Sequence, residues 1–344
     1  MSSDTYSNSR LFIGDKEIIA FDSVQYTESG KSNASTLNVS IPDPELKKAT
    51  LENKEIRFFL NYGSLDSVPF FRGLIKQVTP TENNIQIVAS DVRSLLTGNE
   101  SIPLSLTDKK NYDGYTLGQF IHSYVNEFVN IKETIIGLDM LNDTSPVVSL
   151  TGTRGEVLSP LKIIKDKLPN NKDSLTDIRA NRLVIKDDGN KSNICFVKEQ
   201  SIDDAGVPFS YSDGVRSVSV KKRKKPNLLS TVVDGRQVIY KHNNFSTGIS
   251  GGKIQGNYEY PDEAIQAAYV QAKQSEIDSE ITLNVTKGHY LDIGNVVKVY
   301  IRDNPDITGK HRIQSKQVTC TKSGVTCTLQ LAKEKPQVSD YLSS

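Results

Sequence analysis

Four histidines, three cysteines and a few paired carboxylates are the residues from which this chain could build chemistry. His122, His242, His289 and His311 fall in separate elements, at no spacing that a metal site uses. Neither HExxH nor GxSxG occurs. Gly248-Ile249-Ser250-Gly251-Gly252-Lys253 has the look of a phosphate loop. The P-loop spacing, however, requires glycine where Thr247 stands and Ser or Thr where Ile254 stands. Asp187-Asp188 and Asp203-Asp204 lie in polar turns, where solvated carboxylates are the ordinary expectation. A glycosidase needs two carboxylates in a cleft, usually among aromatics that stack on sugar, and the chain has no tryptophan. The residues therefore point to a non-enzyme with no catalytic, cofactor-binding or metal-binding positions.

Lys221-Lys222-Arg223-Lys224-Lys225-Pro226 is the sharpest charge feature. A nuclear-import signal, a nucleic-acid patch and an interface with an acidic ring would each use such a run. With no interleaved aromatics and a formal net charge of +1, the expected reading is a solvated strand end. The cysteines read as apolar fillers. A hairpin at Ser323-Gly324 would pair Lys322 with Val325 and set Cys320 opposite Cys327, on the inward face with Val318 and Leu329. Two reduced core thiols are expected there.

The elements around these residues are mostly short strands. Leu37, Val39 and Ile41 alternate with polar residues, and Pro42-Asp43-Pro44 ends that strand. Strands at 56–60, 70–78 and 85–89 follow, with Asn83-Asn84 as a turn. Thr116 caps a helix presenting Leu117, Phe120, Ile121, Tyr124 and Phe128 on one face. A second helix opens at Ser159-Pro160 and buries Leu161, Ile164 and Leu168. Short strands at 183–185 and 194–197 complete an α+β insert. The β pattern resumes at Val215, Val218 and Val220, then at 229–233 and 238–240, before a loop at 248–256. A third helix starts at Pro261-Asp262-Glu263, acids at its positive end, and presents Ile265, Ala268, Tyr269 and Ala272.

One segment occurs twice. Lys76-Gln77-Val78-Thr79-Pro80-Thr81 returns 240 positions later as Lys316-Gln317-Val318-Thr319-Cys320-Thr321. At the same offset Leu51 aligns with Leu291, Ile56 with Val296, Arg72 with Arg312 and Ile85 with Val325. Apolar positions keep phase throughout, so one β-module is used twice, and Val78 and Val318 should lie on equivalent strands. At 344 residues the chain holds two or three domains. Its charge draws it to neither nucleic acid nor membrane, no apolar run approaches the roughly 18 residues of a span, and the polar N-terminus lacks a signal-peptide pattern.

The C-terminal third carries a set of linked motifs. Tyr258-Glu259-Tyr260-Pro261-Asp262-Glu263 leads into a helix from Ala264 to Ser275. Ile281-Thr282-Leu283, Gly288-His289-Tyr290-Leu291-Asp292-Ile293-Gly294-Asn295-Val296-Val297 and Ile307-Thr308-Gly309 with Ile313 follow. Phe70-Phe71-Arg72-Gly73-Leu74-Ile75 and Ala89-Ser90-Asp91-Val92-Arg93-Ser94-Leu95-Leu96 match near the N-terminus. In this order the motifs resemble the baseplate hub proteins of tailed bacteriophages, the late control protein D type among them.

The resemblance implies a mainly β fold with two tail-tube-like β-barrels and a small α+β domain. Residues 1–105 would form the first barrel, 106–208 the α+β insert, 209–335 the second barrel with a helix at 261–277, and 336–344 a flexible tail. It implies a homotrimer bridging the six-fold tail tube to the three-fold spike, in a virion assembled in a bacterial cytoplasm. Its partners would be the tail tube protein, the central spike, the tape-measure protein and other baseplate proteins. DNA would pass through the channel without specific binding, and no membrane would be involved. No fused spike or lytic domain is expected after the second barrel. The rival readings are a distal tail or tube protein and a tail-associated cell-wall hydrolase.

Overall fold

The computed structural model describes residues 9–29, 34–42, 50–60, 68–97, 104–105, 114–128, 136–138, 157–158, 182–197, 206–222, 228–241, 251–254, 258–276, 279–302 and 307–332. Two compact units divide the chain. The first holds residues 1–201, 284–295 and 314–329, and the second holds 202–283, 296–313 and 330–344.

The chain opens with β1 (Arg10–Ile13), β2 (Lys16–Ile18), β3 (Ser23–Ser29), β4 (Thr36–Ile41), β5 (Glu55–Phe59), β6 (Phe71–Pro80) and β7 (Ile85–Ser90). β3, β4 and β7 are amphipathic at a period of two. Val24 and Tyr26, then Leu37, Val39 and Ile41, then Ile85, Ile87 and Ala89 are buried while their neighbours are not, Ser40 excepted. The turn between β6 and β7 spans Thr81 to Asn84, and the Thr81 hydroxyl accepts from the Asn84 amide at 3.1 Å. A short α1 (Ser94–Thr97), β8 (Leu104–Ser105), α2 (Leu117–Phe128), β9 (Ile136–Leu138), β10 (Val157–Leu158), β11 (Arg182–Asp187) and β12 (Ser192–Val197) follow. A capping box starts α2: the Gln119 amide donates to the Thr116 hydroxyl at 3.2 Å, and the Thr116 amide to Gln119 Oε1 at 2.9 Å. Leu117, Phe120, Ile121 and Tyr124 are fully buried along one face, as their spacing predicts. The helix expected at 160–168 and the side chain of Phe128 lie outside the described residues.

Next come β13 (Val207–Phe209), β14 (Val215–Lys222), β15 (Leu228–Val233), β16 (Arg236–Lys241), β17 (Gly251–Lys253) and α3 (Pro261–Glu276). Then follow β18 (Ser279–Val285), β19 (Val296–Val299), β20 (Gly309–Thr321) and β21 (Gly324–Ala332). β15 and β16 form a hairpin on Asp234-Gly235, both at positive φ (48° and 72°), the geometry that a two-residue turn needs to match strand twist. Two expectations change in this unit. The segment 248–256 is not all loop, because Gly251–Lys253 pairs in parallel with β15. Among the described side chains of α3 the buried ones are Ala264 and the expected Ala268, packed with Leu229, Val233, Val238 and Ile254, while Ile265 and Tyr269 are exposed and Ala272 lies outside the described side chains. The small alanine face lets the helix close on the hairpin, and that contact outweighs the larger apolar side chains next to it.

The neighbour order of the strands repeats. The main sheet contains the run β3-β4-β7-β6-β5-β1 and the run β14-β18-β21-β20-β19-β13. β5, β6 and β7 shifted by 240 positions fall on β19, β20 and β21, so Val78 and Val318 occupy corresponding strands. The copies have diverged: Ile56 faces Gly73 whereas Val296 faces Arg312, and β1 runs antiparallel to β5 whereas β13 runs parallel to β19. The mainly β class holds, but among the described residues the strands follow open pairing paths rather than closed barrels. Strand alternation is a local property, whereas closure depends on a last-to-first pairing that no local pattern encodes. The hairpin after β20 turns at Lys322-Ser323, one residue earlier than expected. Counting back from Thr321 and Gly324, a two-residue turn sets Cys320 opposite Val325 and Cys327 opposite Val318. All three cysteines are free and buried.

Candidate functional site

The densest polar chemistry lies on the inward side of the first unit. Strand alternation puts Tyr26 and Glu28 of β3 on that face, and the register sets Lys316 of β20 directly opposite Glu28. The turn after β7 brings Asp91 and Arg93 beside them. Arg93 Nε and Nη2 donate to Asp91 Oδ2 at 2.9 and 2.6 Å, and Nη2 reaches Glu28 Oε1 at 3.4 Å. The Ser35 amide and hydroxyl donate to the same Asp91 oxygen at 2.9 and 2.6 Å. Tyr26 donates to Glu28 Oε2 at 3.0 Å. Lys316 Nζ donates to the carbonyls of Leu291 and His289 at 2.6 and 3.2 Å and lies 3.9 Å from Glu28. Its charge also sits 5.5 Å from the Tyr26 ring centre and 5.8 Å from that of Phe70.

Every charge named in this cluster has an opposite partner, as buried charges must. Burial works against the Arg93 charge, but Asp91 and Glu28 outweigh it and hold the guanidinium above its usual range. Burial, reinforced by Glu28, raises the Tyr26 phenol well above normal. Burial and then the Lys316 charge depress His289 to about 4. The groups border a cavity of about 260 Å³, which Val184, Ile185 and Asp187 of β11 also line. The arrangement ties chain segments together and presents no activated nucleophile.

One acid pair departs from expectation. Asp188 is a solvated turn carboxylate, held low by the amides of Lys191 and Asn190. Asp187, only 8% exposed at its side chain, accepts from Arg72 Nε at 2.6 Å and Nη2 at 3.3 Å. Arg72 further donates to Glu55 at 2.7 Å and to the carbonyls of Gly189 and Asn190 at 2.7 and 3.0 Å. All five guanidinium hydrogens are therefore used, and the β11–β12 turn is fastened to β6. Arg72, Asp91 and Arg93 occur in the quoted motifs, and Asp91 and Arg93 pair two positions apart within one of them, but Asp187, Ser35 and Glu28 lie too far along the chain for spacing to reveal.

The opposite face of the same strands has another character. One row across the sheet reads Thr321, Ser23, Ser40, Gln86, Thr79. The next reads Thr319, Gln25, Asn38, Val88, Gln77, and a third reads Gln317, Thr27, Thr36, Ser90, Leu74. Gln86 donates to Ser40 at 3.0 Å and Gln77 to Thr79 at 3.2 Å. On β21 the half-exposed Thr328 donates to Asn284 at 2.8 Å.

The other sequence candidates do not converge. His311 is fully buried, its Nε2 bonded to the Ile307 carbonyl at 2.7 Å. His242, the side chain of His122 and Asp203-Asp204 lie outside the described residues. Lys221 is exposed on β14, while residues 223–227 are not described. Among the described residues no group of three His, Cys, Asp or Glu could hold a metal, and no helix is long and apolar enough to cross a membrane.

No family model matches the chain, and no curated protein matches it in sequence. Solved structures do. The tail protein from Neisseria meningitidis MC58 aligns over 96% of this chain and 98% of its own, at 12% identity and a TM-score of 0.58. The 43 kDa tail protein of prophage MuSo2 from Shewanella oneidensis aligns over 94% and 97%, at 13% identity and the same TM-score. A chain of the Francisella PdpA–VgrG complex aligns over 97% of this chain but 55% of its own, at 11% identity and a TM-score of 0.51. The chain has the fold of phage tail proteins.

Proposed function

We propose, with that shared fold as the premise, that the chain is a structural component of a phage tail and serves as its baseplate hub. The observation that carries the reading is the repeated six-strand neighbour order, because it gives each chain two similar modules. Three copies then present six similar units to a six-fold tube while keeping three-fold symmetry toward a spike. Exposed strand edges are a liability that ring closure removes, so assembly also answers the open sheet. In this reading residues 1–105 and 209–335 are the tube-like modules and 106–208 the insert between them. The partners are the tail tube protein, the central spike, the tape-measure protein and other baseplate proteins. The hub is not an enzyme, and DNA passes through it without specific binding.

Mass measurement of the purified protein, alone and with its tail tube, tests the reading. Three chains per particle, and a complex with the tube, are expected. Six chains in the ring would overturn the hub assignment in favour of a tube-type protein.

A further inference from the structure

We propose that the cavity of the first unit bordered by Arg93, Tyr290 and Asp292 is a binding site for an uncharged sugar residue. The inference goes beyond the hub reading and stands independently of it.

The cavity, of about 260 Å³, is lined by groups that the fold holds still. Arg93 is only 2% exposed, and Asp91 and Glu28 take the hydrogens of its Nε and Nη2. Nη1 donates to none of the described residues, yet it is not sealed from solvent. Two N–H groups of a buried guanidinium therefore remain unspent on the cavity wall. Opposite chemistry comes from the turn in which the Leu291 amide donates to the Gly288 carbonyl at 3.0 Å. Lys316 fastens this turn, since its Nζ donates to the His289 and Leu291 carbonyls at 3.2 and 2.6 Å. The backbone is thus fixed on either side of Tyr290 and immediately before Asp292. Tyr290 is 60% exposed. The Asp292 carboxylate has no hydrogen-bond or ion-pair partner among the described residues. The half-buried Phe70, its ring 5.0 Å from that of Tyr26, lines the same space.

This lining selects against ions. Arg72, Arg93 and Lys316 are offset by Glu28, Asp91 and Asp187, and His289 is neutral at pH 7, so Asp292 leaves a small negative excess. A phosphate or carboxylate reaching Arg93 would meet Asp91 and Glu28 beside it. Among the described residues no group of three ligands could hold a metal. A purely apolar molecule would desolvate the charged groups and return no hydrogen bond. The occupant that fits is uncharged, accepts from Arg93, donates to Asp292 and lays an apolar face on Tyr290 or Phe70. A pyranose ring has that make-up, with hydroxyls around its rim that both donate and accept. The C–H groups across its faces suit the negative face of an aromatic ring. The volume falls just below the roughly 300–1,000 Å³ of ordinary small-molecule sites, which suits one substituted ring better than one amide side chain of a partner.

Saturation-transfer NMR on the purified full chain tests the proposal, with methyl glucoside, methyl galactoside, methyl N-acetylglucosaminide and glucuronate as probes. Transfer to at least one of the three neutral glycosides is expected, at a Kd of about 1 mM. Tyr290→Ala and Asp292→Asn, both at exposed positions, should each weaken that binding by about tenfold while circular dichroism stays unchanged. No transfer to any neutral glycoside would overturn the proposal, as would a preference for glucuronate or full-strength transfer in either variant. Dextran, galactan and chitin oligomers, polymers of the same rings, separate the sources. Competition by the polymer assigns a residue within a glycan chain, and binding of the glycoside alone assigns a free sugar. A partner protein's side chain filling the cavity in a cryo-EM map of the assembled tail would also overturn the proposal, and would leave the hub reading standing.

Discussion

Arg72 shows how much a single buried side chain organises. Asp187 reads as a solvated turn carboxylate because its neighbours are polar, yet its partner is Arg72, 115 residues earlier. Replacing Arg72 with methionine would leave the buried Asp187 without its cation, whereas Glu55 keeps Arg57 at 3.9 Å, and breaking a buried pair from one side typically costs about 3–5 kcal/mol. Hydrogen exchange should then rise across residues 182–197 while residues 85–90 stay protected. Unchanged exchange in β11 and β12 would refute the fastening role. His289 makes a pH prediction with a definite sign. Its folded value of about 4 lies below the ordinary 6.5, so the folded state binds fewer protons between those values. Stability is therefore full above pH 6.5 and falls as pH drops toward 4. The full shift would correspond to roughly 3 kcal/mol, and solvent screening of this part-exposed ring reduces it to about 1–2 kcal/mol. Denaturant melts at pH 7 and pH 4 should show this loss, and His289→Gln should remove it.

At the scale of elements, β6 is held tightly between its neighbours. A Cβ on Gly73 would run into the Ser90 carbonyl and the Phe71 ring, and a backbone group cannot swing aside as a long side chain would. Gly73→Ala should cost about 1–3 kcal/mol, seen as a lower unfolding midpoint at constant slope. A neutral effect would mean that β6 and β7 are less closely apposed than they are here. The amphipathic strands and α2 could be read in advance, since alternation and a capping box are written in adjacent residues. The face of α3 could not. Ile265 and Tyr269 carry the larger apolar side chains, but it is Ala264 and Ala268 that are buried against the hairpin of β15 and β16, with Tyr269 reaching only the edge of Tyr240.

For the whole molecule, the match to tail proteins over nearly the full length of both chains is one of fold, and the hub role proposed from it and from the repeated strand order is one of assembly rather than catalysis. Zymography on cell-wall material should accordingly be blank. A cleared band abolished by one Asp or Glu substitution would return the hydrolase reading.

The sequence by itself determined what its neighbours in the chain could enforce. Strand faces follow from a period of two, the β15–β16 turn from Asp234-Gly235 and the start of α2 from Thr116 with Gln119. The doubled module was also visible, because a constant offset preserves apolar phase without any knowledge of pairing. Only the tertiary structure decided what depends on residues far apart. The joining of β20 to β3, with Lys316 set against Glu28, spans nearly the whole chain. The cavity that Arg93, Tyr290 and Asp292 share exists only once segments far apart in the chain are packed together, and the open sheet replaces the expected barrels because closure is settled by long-range pairing.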